Sequence, residues 1–349
     1  MKRTLMKGND AVVRGALLGG ATHFFGYPIT PASEIAHGAA DLFTRSGRTF
    51  LQAESETSAI NMMYGAASSG ARTMTASSGP GVALMLEGLS YLAGSQLPSV
   101  IVDVQRAGPG LGNIWPEQSD YDMCCKGGGH GGFHNIVLAP SSGQEMADFA
   151  HKAFDMADAY RMTVVILSDA YIGQMMEPVA LPQDVRHGAR KSWAVYGDEE
   201  SRSNLISSIV MSQEGLANLN MELQAKYQRA ARDLTDWEEE QTEDAQLIVV
   251  AFGITARIAL TAVRMLRSEG HRVGLLRPKT LFPFPQERIA ELAQVGGRMA
   301  VAELNEGMMA RDVERAVAGR CPVSRYNWFG GVVPSAEEMV LRMKEDLDG

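Results

Sequence analysis

Cysteine is scarce in this chain of 349 residues: there are three, with Cys124 and Cys125 adjacent and Cys321 far away. An adjacent pair plus one distant thiol matches neither a disulfide framework nor the ligand spacing of a zinc or iron–sulfur site, so any metal cluster is expected on another chain. Cationic excess is also missing. With 32 Lys and Arg against 41 Asp and Glu, the formal net charge is -9, which sets aside a nucleic-acid groove or an anionic membrane surface as the main partner. No stretch of about 20 apolar residues is free of charge, and the opening run Met1–Lys7 is followed by no signal-type apolar core. The expected compartment is the cytoplasm and the expected partners are small molecules or proteins. Two nucleotide signatures are absent as well. No Gly-Lys-Ser/Thr follows Ser77-Ser78-Gly79-Pro80-Gly81, and Gly15, Gly19 and Gly20 lack the spacing of a dinucleotide fingerprint after a strand.

What is present is an ordinary globular composition, 45% hydrophobic and 21% charged, with room for two domains. Short β-branched runs alternate with longer stretches of helical period, the pattern of a parallel α/β architecture. Thr49–Gln52, Ser99–Val104, Asn135–Leu138 and Thr163–Leu167 read as buried strands. After Pro178 the chain turns polar. From Gln213, Leu216, Leu219, Leu223, Tyr227, Ala230, Leu234 and Trp237 recur at gaps of three and four, closing on the acidic run Glu238–Glu240; this reads as an amphipathic connector, since too few heptads are present for a coiled coil. A second βα series starts at Leu247–Phe252 and continues through Val273–Leu276 and Met299–Ala302. The expected division is 1–180, 181–245 and 246–349.

Four segments combine permissive backbone with a polar group near a strand end, where open α/β sheets bind ligands. Gly26-Tyr27-Pro28-Ile29-Thr30-Pro31 holds Thr30 between two prolines; Thr30 as N-cap of the next helix, with Pro31 at the first helical position, is the structural alternative. Gln52-Ala53-Glu54-Ser55-Glu56 places two carboxylates at the head of a nearly uncharged helix, where they serve a ligand or complement the helix dipole. Ser77-Ser78-Gly79-Pro80-Gly81 is a strand-to-helix corner whose amides can face a ligand. Val104-Gln105-Arg106-Ala107-Gly108-Pro109-Gly110 ends a strand in an arginine suited to an organic acid's carboxylate, with a surface ion pair as the alternative.

In this order the four segments resemble the α subunits of the 2-oxoacid:ferredoxin oxidoreductases, and the likeness spans nearly the whole chain. Lys126-Gly127-Gly128-Gly129-His130-Gly131 and Gly173-Gln174-Met175-Met176-Glu177-Pro178 are similar to the short α chains of the multi-subunit branched-chain type. The resemblance implies a transketolase-like domain that binds the pyrimidine end of thiamine diphosphate, followed by a smaller transketolase-C-terminal-like α/β domain. It makes Glu56 the pyrimidine's carboxyl partner and Arg106 and Thr30 the groups nearest the 2-oxoacid. Tyr27, Pro28, Ile29, Ser78 and Gly79 become cofactor-lining positions, with no metal ligand in this chain.

The family's diphosphate motif, Gly-Asp-Gly with a later Asn, is missing; Gly197-Asp198-Glu199 in the polar stretch is the nearest sequence. The resemblance therefore implies a β subunit carrying the diphosphate, magnesium and 4Fe-4S clusters, together with a γ subunit and a ferredoxin-like δ subunit. The implied reaction is oxidative decarboxylation of a 2-oxoacid to acyl-CoA and carbon dioxide, with coenzyme A as co-substrate. Branched-chain acids are favoured and 2-oxoglutarate comes next. His23, Lys126 and His130 are the cations near enough in sequence to alter that preference. A non-oxidative thiamine enzyme and a catalytically silent assembly subunit are the competing readings. Gly253-Ile254-Thr255, after a strand of the second series, suits packing or subunit contact rather than catalysis.

Overall fold

A computed structural model describes residues 3–294 and 297–348; Met1, Lys2, Val295, Gly296 and Gly349 lie outside the described residues. A seven-stranded sheet forms the larger layer. Six of its strands run parallel in the spatial order Ile136–Leu138, Thr163–Asp169, Ser99–Gln105, Thr73–Ser77, His23–Gly26, Thr49–Gln52. The two central strands, Ser99–Gln105 and Thr163–Asp169, are buried at every position, as a sheet covered by helices on both faces requires. His23–Gly26 and Thr73–Ser77 escape a reading of β-branched runs because each is short and carries small or polar residues. Their strand state comes from the sheet around them.

The second sheet has five strands, in the order Val323–Asn327, Arg298–Glu303, Leu247–Ala251, Val273–Pro278, Trp237–Glu240, of which the last is antiparallel. That strand corrects the sequence reading. The helix beginning at Gln213 stops at Leu234, and Trp237 with Glu238–Glu240 forms an edge strand instead of the helix's acidic end. Its charges are consumed there: Glu238 pairs with Arg277 and Lys279, and Glu239 with Arg288. The helix buries Leu223, Tyr227 and Ala230 on one face and leaves Leu216 and Met221 exposed. Upstream, the polar stretch is tied down by Arg186 to Asp155 and Lys191 to Asp158.

The chain does not keep its two sheets apart. Thr280–Phe282, from the C-terminal part, pairs antiparallel with Ile136–Leu138 and completes the edge of the first sheet. Between the two parts, Gln118 bridges: its amide donates to Phe252 O and its oxygen accepts from Leu304 N. Asp169 accepts from Tyr171 N and Ile172 N on its own side and from Ile254 N across the junction. Gly253 is obligatory there, because φ is +57° and a Cβ would stand 2.8 Å from Asp169 Oδ2. Gly253-Ile254-Thr255 is thus a contact within the chain. Gly15 serves packing too, since a Cβ would lie 2.2 Å from the Ala147 carbonyl oxygen of the helix Gly143–Tyr160.

Candidate active site

All four segments singled out in the sequence leave the same edge of the seven-stranded sheet. Tyr27–Thr30 follow His23–Gly26, Glu56 follows Thr49–Gln52, Ser78–Gly81 follow Thr73–Ser77, and Arg106 follows Ser99–Gln105. The chain reverses its direction of travel across the sheet between His23–Gly26 and Thr73–Ser77, so the loops after those two strands diverge and leave a crevice. His23, by contrast, opens its strand and lies at the other edge, bonded to the Thr22 hydroxyl.

Glu56 and Glu54 separate cleanly. Ser55 caps the helix Glu56–Ser68 by accepting from Ser58 N, which fixes Glu56 as the first helical residue. The Glu56 side chain turns inward, is 4% exposed, and accepts one hydrogen bond, from the Ser77 hydroxyl at 3.2 Å. Glu54 stays exposed and takes the Ser58 hydroxyl at 2.7 Å, so of the two acidic residues it is the one confined to the helix end. Gly81 makes the inward position possible: a Cβ would fall 2.1 Å from Ser77 Oγ and 2.3 Å from Glu56 Oε1. Beside it the buried Ser78 hydroxyl has no hydrogen-bond partner. A buried carboxyl with spare acceptor capacity, an unpartnered hydroxyl and a glycine cradle fit a flat heterocycle that offers donors and acceptors at its edge. An aminopyrimidine is such a ring.

Arg106 is held differently. Its guanidinium donates to Thr30 O at 2.9 Å and Leu111 O at 3.0 Å, and its buried Nε has no partner. Among the described residues no carboxylate pairs with it within salt-bridge distance, which removes the surface ion-pair alternative there. Thr30 is joined to Arg106 through its carbonyl, its side chain is exposed, and it does not cap the next helix. Ala32 holds the N-cap position of Ser33–Arg45. Arg106 and Gly79 line one cavity of 590 Å³, with Asp120, Glu117, Asn305 and Phe329 among the other walls. Glu56, Tyr27, Pro28 and Ile29 stand outside that wall; Tyr27 is exposed and Ile29 packs on the core. Arg106 is the one cation among the described wall residues. Lys126 is committed elsewhere, to Asp312 at 2.6 Å, and His130 lines a separate apolar cavity with Tyr91 and Leu219.

Three acids of this cavity escaped the sequence reading, Glu117, Asp120 and Glu306. The signal for the first two was the polar run Glu117-Gln118-Ser119-Asp120 after the exposed apolar loop Leu111–Trp115. Glu117 accepts from Gly108 N, the Ser119 hydroxyl and Gly330 N, the last from the C-terminal part. Among the described residues no three His, Cys, Asp or Glu side chains are grouped to hold a metal ion, and no helix is long and apolar enough to cross a membrane.

Comparison with known proteins agrees with this geometry. Residues 14–244 match the thiamine-diphosphate-binding domain of pyruvate flavodoxin/ferredoxin oxidoreductase, and residues 245–339 match core domain II of pyruvate:ferredoxin oxidoreductase. The chain is 51% identical to the ketoisovalerate oxidoreductase subunit VorB of Methanothermobacter thermautotrophicus, over 99% of this chain and 98% of that one. It is 36% identical to the 2-oxoglutarate synthase subunit KorA of the same organism, over 97% and 98%. Among solved structures, 2-oxoglutarate:ferredoxin oxidoreductase from Magnetococcus marinus, determined with 2-oxoglutarate, coenzyme A and succinyl-CoA bound, superposes with a TM-score of 0.91 at 29% identity. That match covers 99% of this chain and 65% of the other. A split-gene transketolase shares the fold alone, with a TM-score of 0.60 at 14% identity. The chain belongs to the 2-oxoacid:ferredoxin oxidoreductases, as a short α-type subunit built on a transketolase-like, thiamine-diphosphate-binding domain.

Proposed function

We propose that this chain supplies the pyrimidine half of a thiamine diphosphate site shared with a β subunit, in a cytoplasmic complex that oxidatively decarboxylates branched-chain 2-oxoacids to acyl-CoA. The observation that carries the reading is the inward, glycine-cradled Glu56 at the point where the sheet reverses. Glu56 holds the aminopyrimidine edge, with Ser78, Gly79 and the Tyr27-Pro28-Ile29 loop around it. Bound there, thiamine diphosphate supplies the carbon centre that adds to the keto group and carries the charge left when carbon dioxide departs. Arg106 takes the substrate's 1-carboxylate, its guanidinium plane set by Thr30 O and Leu111 O. The diphosphate, magnesium and 4Fe-4S clusters belong to β, with γ and a ferredoxin-like δ completing the assembly. Residues 1–180 form the cofactor unit, 181–245 the connector and 246–349 the second domain.

Substrate class follows from charge. A 2-oxoglutarate site needs a second cation for the distal carboxylate, whereas Arg106 is the one cation among the described residues of the cavity wall. VorB, the relative at 51% identity, is named for ketoisovalerate, which agrees with a branched-chain substrate. The test is to co-express the chain with its partners and follow coenzyme A-dependent dye reduction with 3-methyl-2-oxobutanoate, pyruvate and 2-oxoglutarate. The branched-chain acid should give the largest kcat/KM, and the isolated chain should show no turnover and weak thiamine diphosphate binding. A strong preference for 2-oxoglutarate overturns the substrate class, and tight cofactor binding by the isolated chain overturns the shared site.

A further inference from the structure

The Arg106 cavity has a second carboxyl layer behind its wall. Asp120 lines the cavity, is nine-tenths buried, stands 3.0 Å from where a Cβ on Gly79 would be, and leaves Oδ2 without a hydrogen-bond partner. Asp103, wholly buried on Ser99–Gln105, leaves Oδ1 without a partner, while its other oxygen accepts from the Cys124 thiol at 3.6 Å. Two contacts bring the carboxyl groups together: Asp120 N donates to Gln105 Oε1 at 3.1 Å, two residues along the strand from Asp103, and Cys124, which donates its thiol to Asp103, bonds through its amide to Asp120 O at 3.0 Å. Ionised carboxylates only accept, so both orphaned oxygens are satisfied at once if a single proton sits between them.

We propose that Asp103 and Asp120 share one proton, and that this pair sets the charge of the Arg106 cavity and hence its affinity for an anionic 2-oxoacid. Asp120 is then a specificity-determining wall residue and Asp103 a positioning residue acting through it. The substrate half of this inference rests on the function proposed above.

The surroundings of the pair fix the direction of the effect. On the wall stand Arg106, positive, and Glu117 and Glu306, negative. Glu117 accepts from three donors, Gly108 N, the Ser119 hydroxyl and Gly330 N. From the short helix Tyr121–Cys125 comes Cys124, whose thiol is pushed up by burial and stays neutral. From the next strand, Ser77 is the register partner of Asp103 and donates towards Glu56. From the strand on the other side comes the apolar Leu167. Burial pushes Asp120 up to about 7, with Glu117 adding and Arg106 opposing, and pushes Asp103 well above the carboxylate range. Each proton the pair gives up adds a negative charge beside Arg106, so an incoming carboxylate is opposed more strongly as pH rises.

Two measurements decide the matter. Infrared spectra of the full chain at neutral pH should show the C=O stretch of a protonated carboxylic acid, and Asp103→Asn should remove it. In the assembled complex, KM for 3-methyl-2-oxobutanoate should climb above neutrality by up to about tenfold per pH unit, and kcat should follow a different profile. Asp103→Asn places a permanent amide donor against Asp120 and should flatten the KM profile; Asp120→Asn should flatten it by removing the titrating wall carboxylate. Absence of the band, or its persistence in both variants, overturns the shared proton. A wild-type KM slope retained in both variants overturns the charge-setting role. If the complex turns over no 2-oxoacid, the proposed function fails instead, and the infrared band still answers for the proton.

Discussion

The Glu56 corner and the Arg106 loop lie on one sheet edge and differ in how complete they are. At the corner Glu56 is 4% exposed, its bond to Ser77 is made, and Gly81 is packed against both of those side chains. The loop after Arg106 carries Leu111 at 79% and Trp115 at 63% exposure, and Gly108 and Gly110 have nothing within 4 Å of a would-be Cβ. One region is preorganised by its own chain. The other leaves an unsatisfied Nε and bare apolar side chains. The proposed shared site calls for this asymmetry, with one chain fixing a rigid half and the substrate side finished by contact.

The largest effect should come from the finished half. Glu56→Gln in the assembled complex keeps the shape and the acceptor for Ser77 but removes the ionisable group, and turnover should fall about 10²–10⁴-fold with assembly intact. Glu54→Gln should be far milder, and equal small losses would erase the distinction between the two acids. In the open half, Arg106→Ala should weaken every 2-oxoacid alike, by roughly 2–5 kcal/mol in kcat/KM, without reordering them. A loss confined to one substrate would show that Arg106 reads the distal part of the molecule. Glycine substitutions compare the two regions on stability alone: in the isolated chain Gly81→Ala should cost about 1–3 kcal/mol by overpacking, and Gly108→Ala should be near neutral. Similar melting temperatures for the two would mean that the corner is as pliable as the loop.

The smallest effect concerns the junction behind both regions. Burial lifts Asp169 to about 6 from an ordinary 3.8, so the folded state binds this proton more tightly than the unfolded chain. Its contribution to stability is therefore full below the ordinary value and is lost as pH rises through about 6. Asp169→Asn should flatten that part of the melting curve between acid and neutral pH. It should also cost about 1–3 kcal/mol, because an amide cannot accept from Tyr171, Ile172 and Ile254 together. An unchanged pH profile would place the titration elsewhere.

Much of the site could be read before the fold was known, for a physical reason. Tyr27–Thr30, Glu56, Ser78–Gly79 and Arg106 each follow directly on a strand, and a short loop at a strand end keeps its chemistry local in sequence. Asp103 could not be read in that way, because it sits inside Ser99–Gln105 among apolar residues and gains meaning only when a helix returns Asp120 and Cys124 against it. Trp237–Glu240 was misread because its side chains continue the helical period. The pairing with Val273–Pro278, and cations such as Arg277 and Arg288 waiting across the sheet, override that period.

By itself the sequence determined the α/β class and the four strand-end segments, since composition, period and spacing are properties of the chain read locally; the family likeness came from the motifs those segments carry. The tertiary structure decided which of two neighbouring glutamates turns inward, that Arg106 is held by backbone carbonyls, that Lys126 is spent on Asp312, and that Cys124 links Asp103 to Asp120. Those outcomes depend on burial and on partners from distant segments, and both exist only once the strands have chosen their neighbours.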